Sequence, residues 1–319
     1  MSAILTVRVA RVRRLTAEIS AFEFVHPQGR ALPPYEPGAH LDVHLPGGFM
    51  RPYSLAAAPE GPPVRRYVIG VKREPHSRGG SASLHERVRE GDLLAVGTPR
   101  NGFALRPEAA HHLLVAGGIG LTPLLAMAQH LARTGASWSL AVFARSRAHL
   151  AFAPELAALP QPAVRLHLDD PQAPEKLDLA ARLAVRRPGE HLYLCGPAGF
   201  MQQALRAASA WPEEAVHQEH FAAPEAGFDE AADEPFVLRL AQRGLTVPVG
   251  AAQTAVQALH ELGIEVPVSC EQGVCGTCVV GLREGLAEHR DHCLTARERL
   301  TRIALCCSRA KSGTLVVEL

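Results

Sequence analysis

The sequence predicts a multi-domain chain: an antiparallel β-barrel, then an α/β domain on a parallel sheet, then a compact α+β domain of the β-grasp kind. Three observations predict it. Short alternating runs broken by Gly and Pro fill the first third. Continuous apolar runs separated by helical stretches fill the middle. A hairpin, a helix, a cysteine-rich loop and a last strand make up the end. At 319 residues the chain is long for one core and fits two or three. The expected boundaries are a barrel over 1–108, an α/β domain over 109–224, an acidic linker over 225–234 and the α+β domain over 235–319.

Composition narrows the class. Hydrophobic residues are 47% and charged residues 20%, as in ordinary globular proteins. A net charge of +1 argues against nucleic acid or a membrane surface as partner. No apolar run approaches the ~20 residues of a membrane span. Met1–Arg14 alternates apolar and basic residues and reads as a strand rather than a targeting helix. Seven cysteines without an export signal point to a reducing cytoplasm, where they serve metal or redox chemistry rather than cross-links.

In the first third, strands are expected over Leu5–Val12, Glu18–Val25, Leu41–Leu45, Tyr67–Val71 and Leu93–Val96. Many short strands with frequent turns argue for a barrel. Arg51-Pro52-Tyr53-Ser54 follows a Gly-Gly turn and puts a cation, an aromatic face and a hydroxyl within four extended residues. Arg51 and Tyr53 share one face of that strand, a combination suited to a flat ring and a phosphate. Arg78-Gly79-Gly80-Ser81 leads into a short helix, whose free backbone donors seat a phosphate. Singly, the first is more often half-buried strand surface and the second more often a turn; together in one barrel they point to one ligand.

In the middle third, apolar strands are expected at Leu113–Ala116, Leu140–Ala144, Val164–Leu168 and His191–Cys195, with helices between them. Ligands of such sheets bind beyond the carboxyl ends of the strands. Gly117-Gly118-Ile119-Gly120 allows a pyrophosphate to approach the start of the next helix, where Thr122 and Pro123 follow. The third glycine of the usual dinucleotide fingerprint is absent. Arg145-Ser146-Arg147, at the end of the second strand, is placed to meet an adenosine ribose, against the plainer reading of solvated loop residues. Cys195-Gly196, at another strand-to-helix turn, carries little bulk and admits a nicotinamide ring.

In the last third, strands at Phe236–Leu240 and Leu245–Pro248, a helix over Ala255–Leu262 and a strand at Thr314–Leu319 frame the cysteines. Cys270, Cys275 and Cys278 stand in the C-x4-C-x2-C order of a plant-type [2Fe–2S] loop, with a fourth thiolate supplied later. Gly273 and Gly276 keep the backbone close to the cluster and permit positive φ. Structural zinc is the weaker reading, since only Cys275 and Cys278 form a C-x2-C pair. If Ile303–Ser308 is extended, Cys306 and Cys307 point to opposite faces and only one reaches the metal. His289-Arg290-Asp291 reads as a solvated turn with internal hydrogen bonds, and Cys293 as a bystander.

The order of these motifs resembles the phthalate dioxygenase reductase family, which includes the vanillate O-demethylase reductases, and the resemblance covers essentially the whole chain. It implies a flavin domain, a pyridine-nucleotide domain and a plant-type ferredoxin domain, in that order. It implies FMN rather than FAD at Arg51, Tyr53 and Ser54, with the phosphate near Arg78, Gly80 and Ser81. NADH is implied at Gly118, Gly120, Thr122, Cys195 and Gly196. The cluster ligands carry over as Cys270, Cys275, Cys278 and Cys306, because family members end in a segment like Cys-Val-Ser-Arg-Ala, here Cys306-Cys307-Ser308-Arg309-Ala310. Glu219-His220-Phe221 matches a segment that places an aromatic ring, here Phe221, by the flavin.

Such a chain solves a counting problem. NADH gives up two electrons at once and an iron–sulfur cluster takes one, so a flavin belongs between them. The resemblance implies passage from NADH to FMN to the cluster, then to a separate Rieske-type terminal oxygenase acting on aromatic acids or ethers. Hydride transfer needs no acid or base, so no catalytic side chain is expected. Two rivals stand beside this: a general reductase for a cytochrome or another carrier, and a non-enzymatic sensor that reads the redox state of the cluster.

Overall fold

The computed structural model describes residues 3–75, 79–174, 176–221 and 233–319. It divides into two compact units, Ser2–Glu219 and His220–Leu319. Among the described residues no helix is long and apolar enough to cross a membrane.

The first unit begins with a six-stranded sheet built from β1 (Ile4–Arg14), β2 (Ile19–Val25), β3 (His40–Leu45), β4 (Phe49–Ser54), β5 (Arg66–Lys72) and β6 (Leu93–Gly97), with helix α1 (Gly80–Arg87) between the last two. The order is β4-β3-β6-β1-β2-β5 with every pair antiparallel. A bridge between Leu55 and Ile69 joins the chain after β4 to β5, so the sheet nearly closes into a barrel. Alternation decides which side faces in. Val7 and Val9 of β1 are buried while Thr6 and Arg8 are exposed, and Tyr67, Ile69 and Val71 of β5 enter the same core as Phe22, Phe24, Leu41 and Val43.

A parallel sheet follows: β7 (His111–Gly117), β8 (Trp138–Ala144), β9 (Val164–Leu168), β10 (Glu190–Cys195) and β11 (Val216–Glu219), in the order β11-β10-β7-β8-β9. Helices α2 (Leu121–Thr134), α3 (Ala153–Ala157), α4 (Leu179–Ala184) and α5 (Ala198–Ala207) connect and cover it. Strands buried on both faces read as unbroken apolar runs, which is why β7 and β10 were legible. The chain winds outward through β8 and β9, then returns to the other side of β7. The switch point, the crevice where ligands of such sheets bind, therefore lies between β7 and β10.

The barrel and the parallel sheet share one hydrophobic layer. Ile19, Ala21, Ala56 and Phe103 pack with Leu114, Leu121, Leu124, Leu125 and Met127. Gly70 of β5 is packed closely there, since a β-carbon would stand 2.7 Å from Thr122 Cγ2 and 2.9 Å from Phe152 Cε2.

The second unit holds β12 (Phe236–Leu240), β13 (Leu245–Val249), β14 (Val279–Glu284), β15 (Ala287–Glu288), β16 (Arg302–Ala304), β17 (Arg309–Ala310), β18 (Thr314–Val317) and helix α6 (Ala255–Glu261). The mixed sheet runs β13-β12-β18-β14-β16, and β15 pairs with β17 as a separate ribbon. β12 and β18 are parallel while their outer neighbours are antiparallel, the β-grasp arrangement expected. Thr254 and Gln257 form a reciprocal cap at the start of α6, and Ala255, Ala258 and Leu259 seat it on the sheet. Arg290 grips Asp233 with both guanidinium ends and holds that carboxyl below its usual range. Buried Arg309 donates to the carbonyls of Glu234, Gly250 and Gln253. Most of the expected linker, 225–232, lies outside the described residues.

Two expectations are corrected here. The strand carrying Ile303 stops at Ala304, and Leu305–Cys307 form a turn, so the opposite-faces rule for Cys306 and Cys307 does not apply. His289–Asp291 is not a solvated turn. The Asp291 side chain is fully buried, accepting from the backbone N–H of Leu294 and paired with His289 Nδ1 at 3.2 Å. A tripeptide of polar residues gives no local sign that the chain folds over it.

Candidate cofactor sites

At the carboxyl edge of the parallel sheet, β7, β10 and β11 end side by side. Cys195 stands in register with Ala116 on one side and Glu219 on the other. Gly117 and Gly196 meet across the switch point, and a β-carbon on Gly120 would lie 2.3 Å from the Cys195 carbonyl oxygen. Two strand ends can come this close only without side chains. Gly118 has φ +54 and open space where a side chain would be, which leaves its backbone approachable from outside. A single 3-10 turn over Gly118–Gly120 leads into α2, and the Thr122 hydroxyl donates to the Ile119 carbonyl at 3.0 Å. This cradle fits a pyrophosphate and a ring.

The barrel meets the same edge at Ser54. Its hydroxyl donates to Glu219 Oε2 at 2.8 Å. Burial pushes the Glu219 carboxyl up to about 7, and the Ser54 hydrogen bond offsets part of that rise. The Cys195 thiol is fully buried, and burial together with the nearby Glu219 charge pushes it well above its ordinary range, so it is a small neutral residue rather than a nucleophile. Glu219 is the functional candidate that sequence reasoning passed over in favour of Phe221. Its signal was position at a strand end beside Cys195, which only the sheet order reveals. Phe221, 40% exposed, belongs to the second unit.

At the other end of β4, Arg51 lies over the Phe49 ring at 5.7 Å, and the stem of Arg51 packs on Gly80, the first residue of α1. Gly79 caps that helix with φ +95, pressed against the Phe49 ring. Tyr53 is half-buried, and burial raises its phenol above the usual value. Ser81 accepts from the Glu74 backbone N–H at 3.2 Å. Arg78 lies outside the described residues. Arg145 is occupied with Glu18 at 2.9 Å, and Ser146 with His149 at 2.8 Å, so both residues hold loops at the sheet edge.

In the second unit Cys270, Cys278 and Cys306 are buried and Cys275 is half-buried. The four thiols are neighbours. Hydrogen bonding with Cys275 and then Cys306 lowers Cys270, contact with Cys306 lowers Cys278, and the same contacts raise Cys275 and Cys306. Backbone donors point at the sulfurs: Gln272 N–H to Cys270 at 3.3 Å, Gly273 N–H to Cys306 at 3.2 Å and Cys270 N–H to Cys275 at 3.5 Å. Gly273 and Gly276 both take φ +71, and Glu271 is also left-handed at φ 56. The His292 N–H holds the loop through the Gly273 carbonyl at 2.9 Å. Among the described residues no group of three or more His, Cys, Asp or Glu is arranged around a single metal ion. Three thiols on one loop and Cys306 on the turn after β16, with N–H groups aimed at them, suit a two-iron cluster.

Comparison with known proteins adds independent findings. Residues 238–311 match the family model of the 2Fe-2S iron-sulfur cluster binding domain. Residues 98–215 match that of the dimethylamine monooxygenase subunit DmmA-like N-terminal domain. The chain is 41% identical over 315 residues to a vanillate O-demethylase oxidoreductase of Acinetobacter baylyi, covering 98% of both. It resembles the solved structure of a phthalate dioxygenase reductase, with a TM-score of 0.73, 37% identity, and 99% and 98% of the two chains covered. It also resembles part of an intact type IV self-sufficient cytochrome P450 monooxygenase, with a TM-score of 0.90 and 34% identity, spanning 99% of this chain and 41% of that longer one.

Proposed function

The chain belongs to the phthalate dioxygenase reductase family, and from that premise we propose that its electrons go to a Rieske-type terminal oxygenase acting on an aromatic acid or ether. It is an NADH-dependent oxidoreductase with FMN and a [2Fe–2S] cluster, the reductase component of an oxygenase system. Bound flavin supplies the conversion between hydride and single electrons.

The residues then have these roles. Arg51, Tyr53 and Ser54 hold the flavin, with Gly80 and Ser81 at its phosphate. Arg78 is assigned there by resemblance. Gly118, Gly120 and Thr122 receive the pyrophosphate of NADH, while Arg145 and Ser146 flank its adenosine end. Cys195 and Gly196 leave room for the nicotinamide, and Glu219 faces the same place through Ser54; Phe221 is assigned beside the flavin by resemblance alone. Cys270, Cys275, Cys278 and Cys306 bind the cluster. Orientation would be the protein's contribution, because hydride transfer between a nicotinamide and a flavin held by these residues would need no proton donor. The expected domain spans remain 1–108, 109–224 and 235–319.

One observation carries the choice of acceptor: near-complete, end-to-end similarity to the reductase of a demethylase acting on vanillate, an aromatic acid ether. A second reading, delivery to a haem, is favoured by the similarity to a region of a cytochrome P450. Mixing the holoprotein and NADH with a Rieske oxygenase, and separately with a P450, decides between them. Product from the Rieske enzyme alone is expected; product from the P450 alone would sink the proposal.

A further inference from the structure

We propose that Cys307 is a reserve ligand of the iron–sulfur cluster, able to supply the fourth thiolate in place of Cys306. The proposal rests on the assignment of Cys270, Cys275, Cys278 and Cys306 as the ordinary ligands. A strand through this segment would have sent the two adjacent sulfurs to opposite faces. The strand ends at Ala304, however, and Leu305–Cys307 form a turn. Gly273 of the cluster loop meets both sulfurs. Its N–H donates to Cys306 Sγ at 3.2 Å, and Cys307 Sγ stands 2.5 Å from where a β-carbon on Gly273 would be. Only the missing side chain lets that second sulfur come so near the loop. The Cys306 thiol is hydrogen-bonded to Cys307 as well as to Cys270 and Cys278, so Cys307 adjoins the ligand set directly.

Little holds the Cys307 sulfur where it is. It reaches the Ala304 carbonyl and the Ser308 hydroxyl at 3.9 Å each, long contacts that are easily given up. The residue is half-buried, so its thiol is neither sealed away nor left wholly to solvent. A free cysteine also packs as a small hydrophobe, and on that plainer reading its sulfur has no bearing on iron. Chemistry separates the two readings. A [2Fe–2S] cluster takes four thiolates, and a thiol that binds gives its proton to solvent. With Cys306 gone, Cys307 is the neighbouring sulfur on the same turn.

The test uses the full-length protein, reconstituted without oxygen. Iron content, visible circular dichroism and the electron paramagnetic resonance of the reduced cluster are measured for wild type, Cys306→Ala, Cys307→Ala and the double variant. Cys307→Ala is expected to match wild type. Cys306→Ala should keep most of its iron, with an altered spectrum, and the double variant should lose it. A Cys306→Ala protein as poor in iron as the double variant overturns the proposal. So does a double variant that holds iron as well as Cys306→Ala, because another group would then be standing in. Iron lost from Cys307→Ala alone would make Cys307 the ordinary ligand and overturn the reserve role too. Should Cys306→Ala fail to fold, Cys306→Ser keeps the shape of the side chain. Iron prefers a thiolate to a serine oxygen, so adding Cys307→Ala to Cys306→Ser should change the spectrum; identical spectra would refute the proposal. Wild type that takes up no iron would instead refute the ligand assignment beneath it.

Discussion

A carboxyl that titrates near neutrality faces the barrel through one hydroxyl. Glu219 is pushed from 4.5 to about 7 by burial, with Ser54 pulling it back. Between those values the folded chain keeps a proton that the unfolded chain has lost. Stability therefore falls as pH rises from about 4.5 through about 7, then levels off. Glu219→Gln fixes the group neutral. It is expected to remove an inflection near 7 from the pH profile of NADH-driven flavin reduction and to flatten that fall in stability. Ser54→Ala should move the inflection upward, because it deletes the contact that lowers the pKa. Stopped-flow reduction across pH checks both, and an unchanged inflection in Glu219→Gln would refute the assignment. Ser54 stands out in the sequence because it sits in a compact tetrapeptide with Arg51 and Tyr53. Glu219 does not, since its burial comes from β11 pairing with β10 and from a barrel residue 165 positions away. Cys306 and Cys307 show the same limit. The turn after β16 brings both toward Gly273, where Cys306 accepts its N–H and the Cys307 sulfur stands 2.5 Å from where a β-carbon would be.

Among elements, the turn from β7 into α2 depends most on the absence of side chains. Gly120→Ala would press a methyl against the Cys195 carbonyl and the Gly196 nitrogen, backbone atoms that cannot swing aside. Overpacking of this kind costs about 1–3 kcal/mol. The expected result is a lower melting temperature and a raised KM for NADH. Gly118→Ala meets no neighbour and suffers only from its positive φ, about 1–2 kcal/mol, so the Gly120 change should be at least as damaging to KM. A Gly120→Ala protein with wild-type KM and melting temperature would remove the turn from the nucleotide site. These elements were legible because periodicity reports burial directly: alternation in β1 and β5, unbroken apolar runs in β7 and β10. The turn after Ala304 was not legible because a short apolar run followed by two cysteines carries no turn signal of its own.

For the whole molecule, the two units have separate hydrophobic cores. The chemistry divides along the same line. Cys275→Ser is expected to leave NADH-driven flavin reduction within about twofold of wild type and to abolish one-electron delivery to a protein acceptor. Equal loss of both activities would refute the division. The three-part order was legible from the sequence, since each part has its own pattern. What the pattern did not reveal is that the first two parts are fused through one layer.

That fusion has a consequence for dissection. Ala21, Ala56 and Phe103 on the barrel side pack in one buried layer with Leu121, Leu124 and Leu125 of α2. A fragment cut at residue 108 would bare an oily flank and associate with its own copies. Anyone wishing to study the flavin half in isolation should excise it together with everything through Glu219.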